Sequence, residues 1–139
     1  MGESSTPIAE NKALIVQLFE EALHQGNLAL VDELFSSDFV DHSTPDQAAG
    51  AAGVKAYFVA VRTGFPDIHV SIDDLIAEED RVVVYSTWRG THTGTYTGSA
   101  PTGRMVVRTL IQIFRIVNGK IVEEWNEGRD LTSDSMMNA

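Results

Sequence analysis

The hydrophobic period of this chain changes once, at Phe65-Pro66-Asp67, and that change limits its fold more than any other feature. Upstream, apolar residues recur at helical spacing; downstream they alternate. Leu14, Leu18 and Ala22 repeat every four residues, with Ile15, Phe19 and Leu23 in a parallel row. This stripe predicts an amphipathic helix that starts at Thr6-Pro7, with Thr as N-cap and Pro at the first helical position. Gly26 ends it, and Asn27 caps a second, shorter helix that buries Leu30, Val31, Leu34 and Phe35. Phe39, Val40 and His42 follow in an extended or turn segment closed by Pro45. A third helix is expected from about Ala49 to Thr63, with Val54, Tyr57, Phe58 and Val61 inward, broken by Pro66.

Past the switch, residues 69–77 and 81–89 read as strands joined by the polar turn Glu78-Glu79-Asp80. Residues 90–103 carry four Gly and Pro101 and read as a loop. Residues 104–117 form a long strand. Asn118-Gly119 is a two-residue hairpin signal, because both positions favour positive φ, and residues 120–126 return antiparallel. The tail from Thr132 is polar and is expected to fray. The pattern predicts one α+β domain over residues 1–139, with a core at about 7–131. Its strongly curved antiparallel sheet and three N-terminal helices form a cone-shaped barrel around a pocket.

Composition narrows the function classes. A net charge of −10 argues against a nucleic-acid or anionic-membrane partner, either of which needs a basic patch. No apolar run approaches the roughly 20 residues of a membrane span. The polar N-terminus lacks the layout of a secretion signal, so a cytoplasmic location is expected. Without cysteine there is neither a disulfide framework nor a thiolate site. The four His show no His-Glu-x-x-His spacing, and there is no Gly-rich phosphate loop and no Gly-x-Ser-x-Gly elbow. The expectation is therefore no metal and no cofactor.

Several runs then line up in order. Phe65-Pro66-Asp67 precedes Asp73-Asp74-Leu75-Ile76-Ala77-Glu78 and Asp80-Arg81-Val82-Val83-Val84. Gly90-Thr91-His92-Thr93-Gly94, Gly98 and Pro101-Thr102-Gly103-Arg104 come next. The stretch from Phe114 through Asn118-Gly119 to Glu124-Trp125-Asn126 closes the set. Together, over about residues 11–131, they resemble the SnoaL-like polyketide cyclases, often called ester cyclases. The resemblance implies the nuclear transport factor 2-like fold, a cystatin-like α+β roll. It also implies cofactor-independent closure of a polyketide ring by intramolecular aldol condensation. Where those cyclases place a base Asp, after the residue that ends the last strand, this chain has Asn126. Where they place a His, three residues before the Arg of Phe-Arg-Ile, it has Gln112.

Aldol closure needs a base in a dry pocket and a donor aimed at the developing oxyanion. Strand alternation sets Val106, Arg108, Leu110, Gln112 and Phe114 on one face, and Val122, Glu124 and Asn126 on one face of the next strand. Arg108 is either a clamp on substrate or a structural ion pair, with Glu124 as one partner. Gln112 and Asn126 serve as pocket walls and polarising donors. The base candidates are His42, oriented by Asp41, and Asp130, which Gly128 could let turn back. The competing readings are a turn His and a solvated tail carboxylate. Trp88, Leu110 and Phe58 line the substrate site, or pack the core. His92 is expected to hold its loop. His24 and His69 read as helix-end and exposed-strand residues.

Three functions fit: an enzyme acting on a small hydrophobic carbonyl compound, a binding protein for such a ligand that has lost the family Asp and His, and a dimeric scaffold. Ile111, Ile113, Ile121 and Trp125, on the face opposite Gln112, predict a homodimer packed sheet to sheet.

Overall fold

The structure is a computed structural model that describes residues 6–44 and 50–132. Helix α1 (Thr6–Gln17) runs directly into a π-helical segment, Leu18–His24. Helix α2 (Ala29–Leu34), strand β1 (Phe35–Asp41) and helix α3 (Ala51–Gly64) follow. Strands β2 (His69–Glu78), β3 (Arg81–Thr91), β4 (Met105–Val117) and β5 (Lys120–Asp130) complete the fold. The α+β architecture is the expected one. The curved sheet has the order β1-β5-β4-β3-β2 and is not closed into a barrel.

The strands differ from the sequence expectation in three ways. First, Phe35 begins a strand rather than ending a helix. Strand β1 pairs parallel with β5, so the sheet is mixed, not wholly antiparallel. Its sequence hid it: Phe35 and Phe39 are buried four residues apart, a spacing that falls on one face of a helix and of a strand alike. Second, β5 runs four residues past Asn126, to Asp130. Third, Ile121 lies in the core and not on the outer face. A shift of register between Arg115 and Ile116 pairs Ile116 with Ile121, and both become buried. The cap of α2 is Leu28, without a side-chain bond from Asn27. The expected closure at Pro45 and the polar tail beyond Thr132 lie outside the described residues.

The hairpin follows its turn chemistry. Asn118 and Gly119 adopt φ of 52° and 77°, the left-handed pair of a type I′ turn. The core sits between the helices and the inner sheet face. It contains Ile15, Leu18, Phe19, Leu23, Val31, Phe39, Val61, Val82, Val84, Phe114 and Ile121. Arg62 of α3 donates from Nη1 to the carbonyls of Leu23 and His24, at 2.7 and 2.8 Å. It thereby satisfies the free C-terminal end of the π-helical segment. That segment stays in place as one wall of a cavity.

Candidate active site

The inner row of β4 builds the floor of that cavity. Val106, Leu110, Gln112 and Phe114 are buried and Arg108 is partly so. Antiparallel pairing sets Gln112 opposite Asn126, Phe114 opposite Glu124, Leu110 opposite Gly128 and Arg108 opposite Asp130. The parallel strand β1 then places Asp41 beside Glu124. Leu18 and Phe19 close one side; Val54, Tyr57 and Phe58 of α3 another; Trp88 and Tyr96 a third. The cavity volume is about 210 Å³. That is below the roughly 300–1,000 Å³ of common ligand pockets, so it suits a small compound or one end of a larger one.

Glu124 is the chemical centre of this cavity. It is 9% exposed. Its Oε2 accepts from Gln112 Nε2 at 2.9 Å and from Asn126 Nδ2 at 3.1 Å. The Asn126 amide also donates to Asp41 Oδ1 at 3.4 Å, so it spans two carboxylates. Burial pushes the Glu124 carboxyl up from 4.5 to about 7, and the Asp41 charge adds to the rise. The two amide donors oppose it without overcoming it. A carboxyl poised near neutrality can both take and return a proton in water.

Tyr57 is 37% exposed as a residue. Burial of its hydroxyl nevertheless pushes its pKa well above the tyrosine range, with the Tyr96 hydroxyl adding to the rise and Arg108 opposing it. Tyr96 is raised by burial in the same way and opposed by Arg108. Both phenols therefore keep their protons and remain donors. The Trp88 indole donates to Ser86 Oγ at 3.0 Å, and its ring meets Phe19 edge-on at 5.9 Å, which fixes it as a flat apolar wall.

Arg108, Gln112, Asn126, Glu124, Leu110, Trp88 and Phe58 all border the cavity. His42 and Asp130 do not. The end of β1 and the turn after it divide their residues: Asp41 and Thr44 face the cavity, while the exposed His42 ring bonds Glu123 Oε2 through Nε2 at 2.9 Å and stacks on Trp125 at 4.8 Å. Asp41 also does not orient His42. Its carboxylate accepts from Ser43 N–H at 2.9 Å and Thr44 Oγ at 3.0 Å. Asp130 does turn back, but toward Arg108 Nε at 4.0 Å. The ion-pair partner of Arg108 at that distance is thus Asp130, while Glu124 is held by the two amides. His92 holds its loop as expected: Nδ1 bonds Thr102 Oγ1 at 3.1 Å, and its backbone carbonyl accepts from Thr102 and Gly103 N–H. His24 sits at the helix end and accepts from Val70 N–H through Nε2 at 2.9 Å.

Sequence reasoning missed Thr44 and Tyr96 as cavity residues, and it gave Asp41 only the task of orienting His42. It placed Tyr57 inward without giving it a role at the site. The pairing of β1 with β5 would have revealed Asp41, and no local pattern carries that information. Among the described residues there is no cluster of three or more His, Cys, Asp or Glu able to hold a metal ion, and no helix long and apolar enough to cross a membrane.

The carboxyl-centred cavity under a curved sheet sits in a chain that belongs to the SnoaL-like polyketide cyclase family, whose family model matches residues 13–132. Among solved structures, the chain is similar to AclR from Streptomyces galilaeus, a candidate hydroxylase, at 31% identity over 88% of this chain and 80% of that one, with a TM-score of 0.76. It is also similar to IdmH from Streptomyces antibioticus, a candidate polyketide cyclase, at 29% identity, 84% and 89% coverage and a TM-score of 0.70. TsrD from Streptomyces laurentii matches at 26% identity, 86% and 88% coverage and a TM-score of 0.78. None of the curated proteins compared matches the chain.

Proposed function

We propose that this protein is a cyclase-type enzyme that performs acid–base chemistry on a small hydrophobic carbonyl compound without a cofactor, and that Glu124 moves the proton. The observation that carries this reading is the buried Glu124 carboxyl, facing the cavity and shifted to about 7. Gln112 and Asn126, which stand at the family's His and Asp positions, hold that carboxyl instead of titrating themselves. In this reading the acid–base role has moved two residues along β5, from position 126 to 124, on the same inner face.

The steps follow from the residues. The Glu124 carboxylate removes a proton from the carbon α to a carbonyl, and the C–H electron pair becomes an enolate. The enolate carbon attacks a second carbonyl of the same molecule, forming the C–C bond that closes the ring. The protonated Glu124 then returns its proton to the alkoxide. Tyr57, still protonated, and the Arg108 guanidinium supply the donors for the developing oxyanion. The walls of Trp88, Phe19 and Phe58 exclude water from the charged centre.

The test needs no knowledge of the natural product. Small aromatic ketones and β-keto esters in D2O are followed by proton NMR for exchange α to the carbonyl. The wild type is expected to accelerate exchange for at least one of them, and Glu124→Gln to abolish it. Tight binding with no exchange for any compound would favour a non-catalytic binding protein.

We further propose that two copies pack through the outer sheet face, where Tyr85 and Ile111 are 42% and 48% exposed beside Ile113 and Trp125. Glu127 pairs with Ile111, and Arg129 with Thr109. This apolar strip therefore has charges of both signs at one side, which a two-fold contact can pair.

A further inference from the structure

Gly128 of β5 pairs with Leu110 of β4 on the inner face, one step from the Arg108–Asp130 pair. Its φ is not positive, so conformational freedom does not explain a glycine there. Space does. A Cβ at position 128 would lie 2.6 Å from Arg108 Nε and 2.7 Å from Leu110 Cδ1, and closer still to Arg108 Nη2. The guanidinium therefore occupies the space that a side chain at position 128 would fill. Asp130, whose side chain is almost fully buried, stands 4.0 Å from its Nε edge. Arg108 and Leu110 both border the cavity, and the Arg108 charge reaches the Tyr57 and Tyr96 hydroxyls.

We propose that Gly128 is a specificity-determining position, a seat that with Asp130 holds the Arg108 guanidinium against the sheet as a fixed cationic wall facing a ligand carbonyl. This rests on the reading of the cavity as a site for small carbonyl compounds. The three atoms nearest to a Cβ at 128 belong to the Arg108 and Leu110 side chains and none to backbone, so the fold tolerates a methyl group there. Arg108 does not, and it moves into space that the ligand needs.

The experiment compares wild type, Gly128→Ala, Arg108→Ala and the double variant in the full chain. Two probes of similar shape are titrated, 2-acetylnaphthalene and 2-ethylnaphthalene, and the Arg108 Nε–H signal is followed by 15N NMR. In the wild type that buried N–H exchanges slowly, and the ketone binds at least tenfold more tightly than the hydrocarbon. In Gly128→Ala the melting temperature changes by only a few degrees, the Nε–H exchanges at solvent rates and ketone affinity falls about tenfold. Adding Gly128→Ala to Arg108→Ala leaves ketone affinity at that of Arg108→Ala alone. An unchanged Nε–H signal in Gly128→Ala, an unchanged ketone preference, or purely additive losses in the double variant each overturns the seat. If neither probe binds any variant, the small-carbonyl reading of the cavity falls, while the Nε–H signal still decides whether Gly128 seats Arg108.

Discussion

Gln112 donates to Glu124 at 2.9 Å across the β4–β5 pair, and the amide thereby serves the carboxylate that it stands beside. A chain with amides at two expected acid–base positions thus keeps an ionisable group between them. Its protonation is governed by burial and by Asp41.

The first prediction separates Glu124 from His42. In the α-exchange assay Glu124→Gln should reduce the rate by roughly a hundredfold or more, the usual worth of a positioned general base. His42→Ala should stay within about threefold of wild type, because its ring lies against Glu123 and Trp125, outside the cavity. A large loss in His42→Ala with full activity in Glu124→Gln would reverse the assignment.

The second prediction is the pH dependence of that rate. The base form of Glu124 is the carboxylate, so exchange should be low at pH 5.5, rise through about 7 and level off above pH 8. A profile flat from pH 5.5 to 8.5 is the contrary result.

Stability should run the opposite way. The folded carboxyl titrates near 7 and the unfolded one near 4.5, so folding favours the protonated form. Below pH 4.5 both states are protonated and there is no penalty. As pH rises from 4.5 to about 7 the penalty grows, reaching about 3 kcal/mol from the spacing of the two values. Urea unfolding of wild type and Glu124→Gln should show the variant gaining on the wild type over that window and holding its gain above it. Parallel curves for the two proteins would refute the buried-carboxyl account.

Asn126→Asp tests the bridge. The substitution replaces an amide that donates to Asp41 and Glu124 with a third acidic group. At pH 8 the variant should lose about 2 kcal/mol or more, from lost donors and like-charge repulsion. At pH 5, where Glu124 is protonated, it should lose less. Denaturant midpoints at the two pH values check this; equal losses at both would show that repulsion plays no part.

Assembly gives the last prediction. Light scattering at micromolar concentration should report twice the 15.2 kDa chain mass. Ile111→Glu, which sets a charge at the centre of the outer face, should halve it and leave the cavity residues in place. A monomeric wild type would remove the two-copy proposal.

The sequence by itself determined the α+β order, because the switch of hydrophobic period at Phe65-Pro66-Asp67 is local and unambiguous. It determined the β4–β5 hairpin through Asn118-Gly119, and it placed Arg108, Leu110, Gln112 and Phe114 on one face through simple alternation. Tertiary structure decided what lies 80 residues apart or depends on a slipped register. The parallel pairing of β1 with β5 sets Asp41 beside Glu124 and turns His42 away, and no local period records a partner strand so distant. The bulge at Arg115–Ile116 turned Ile121 into the core, where strict alternation had put it outside. The chemistry of Glu124 also lay beyond the sequence. A carboxyl gains a pKa near 7 only when the surrounding chain removes its water, and that depends on packing from several elements at once.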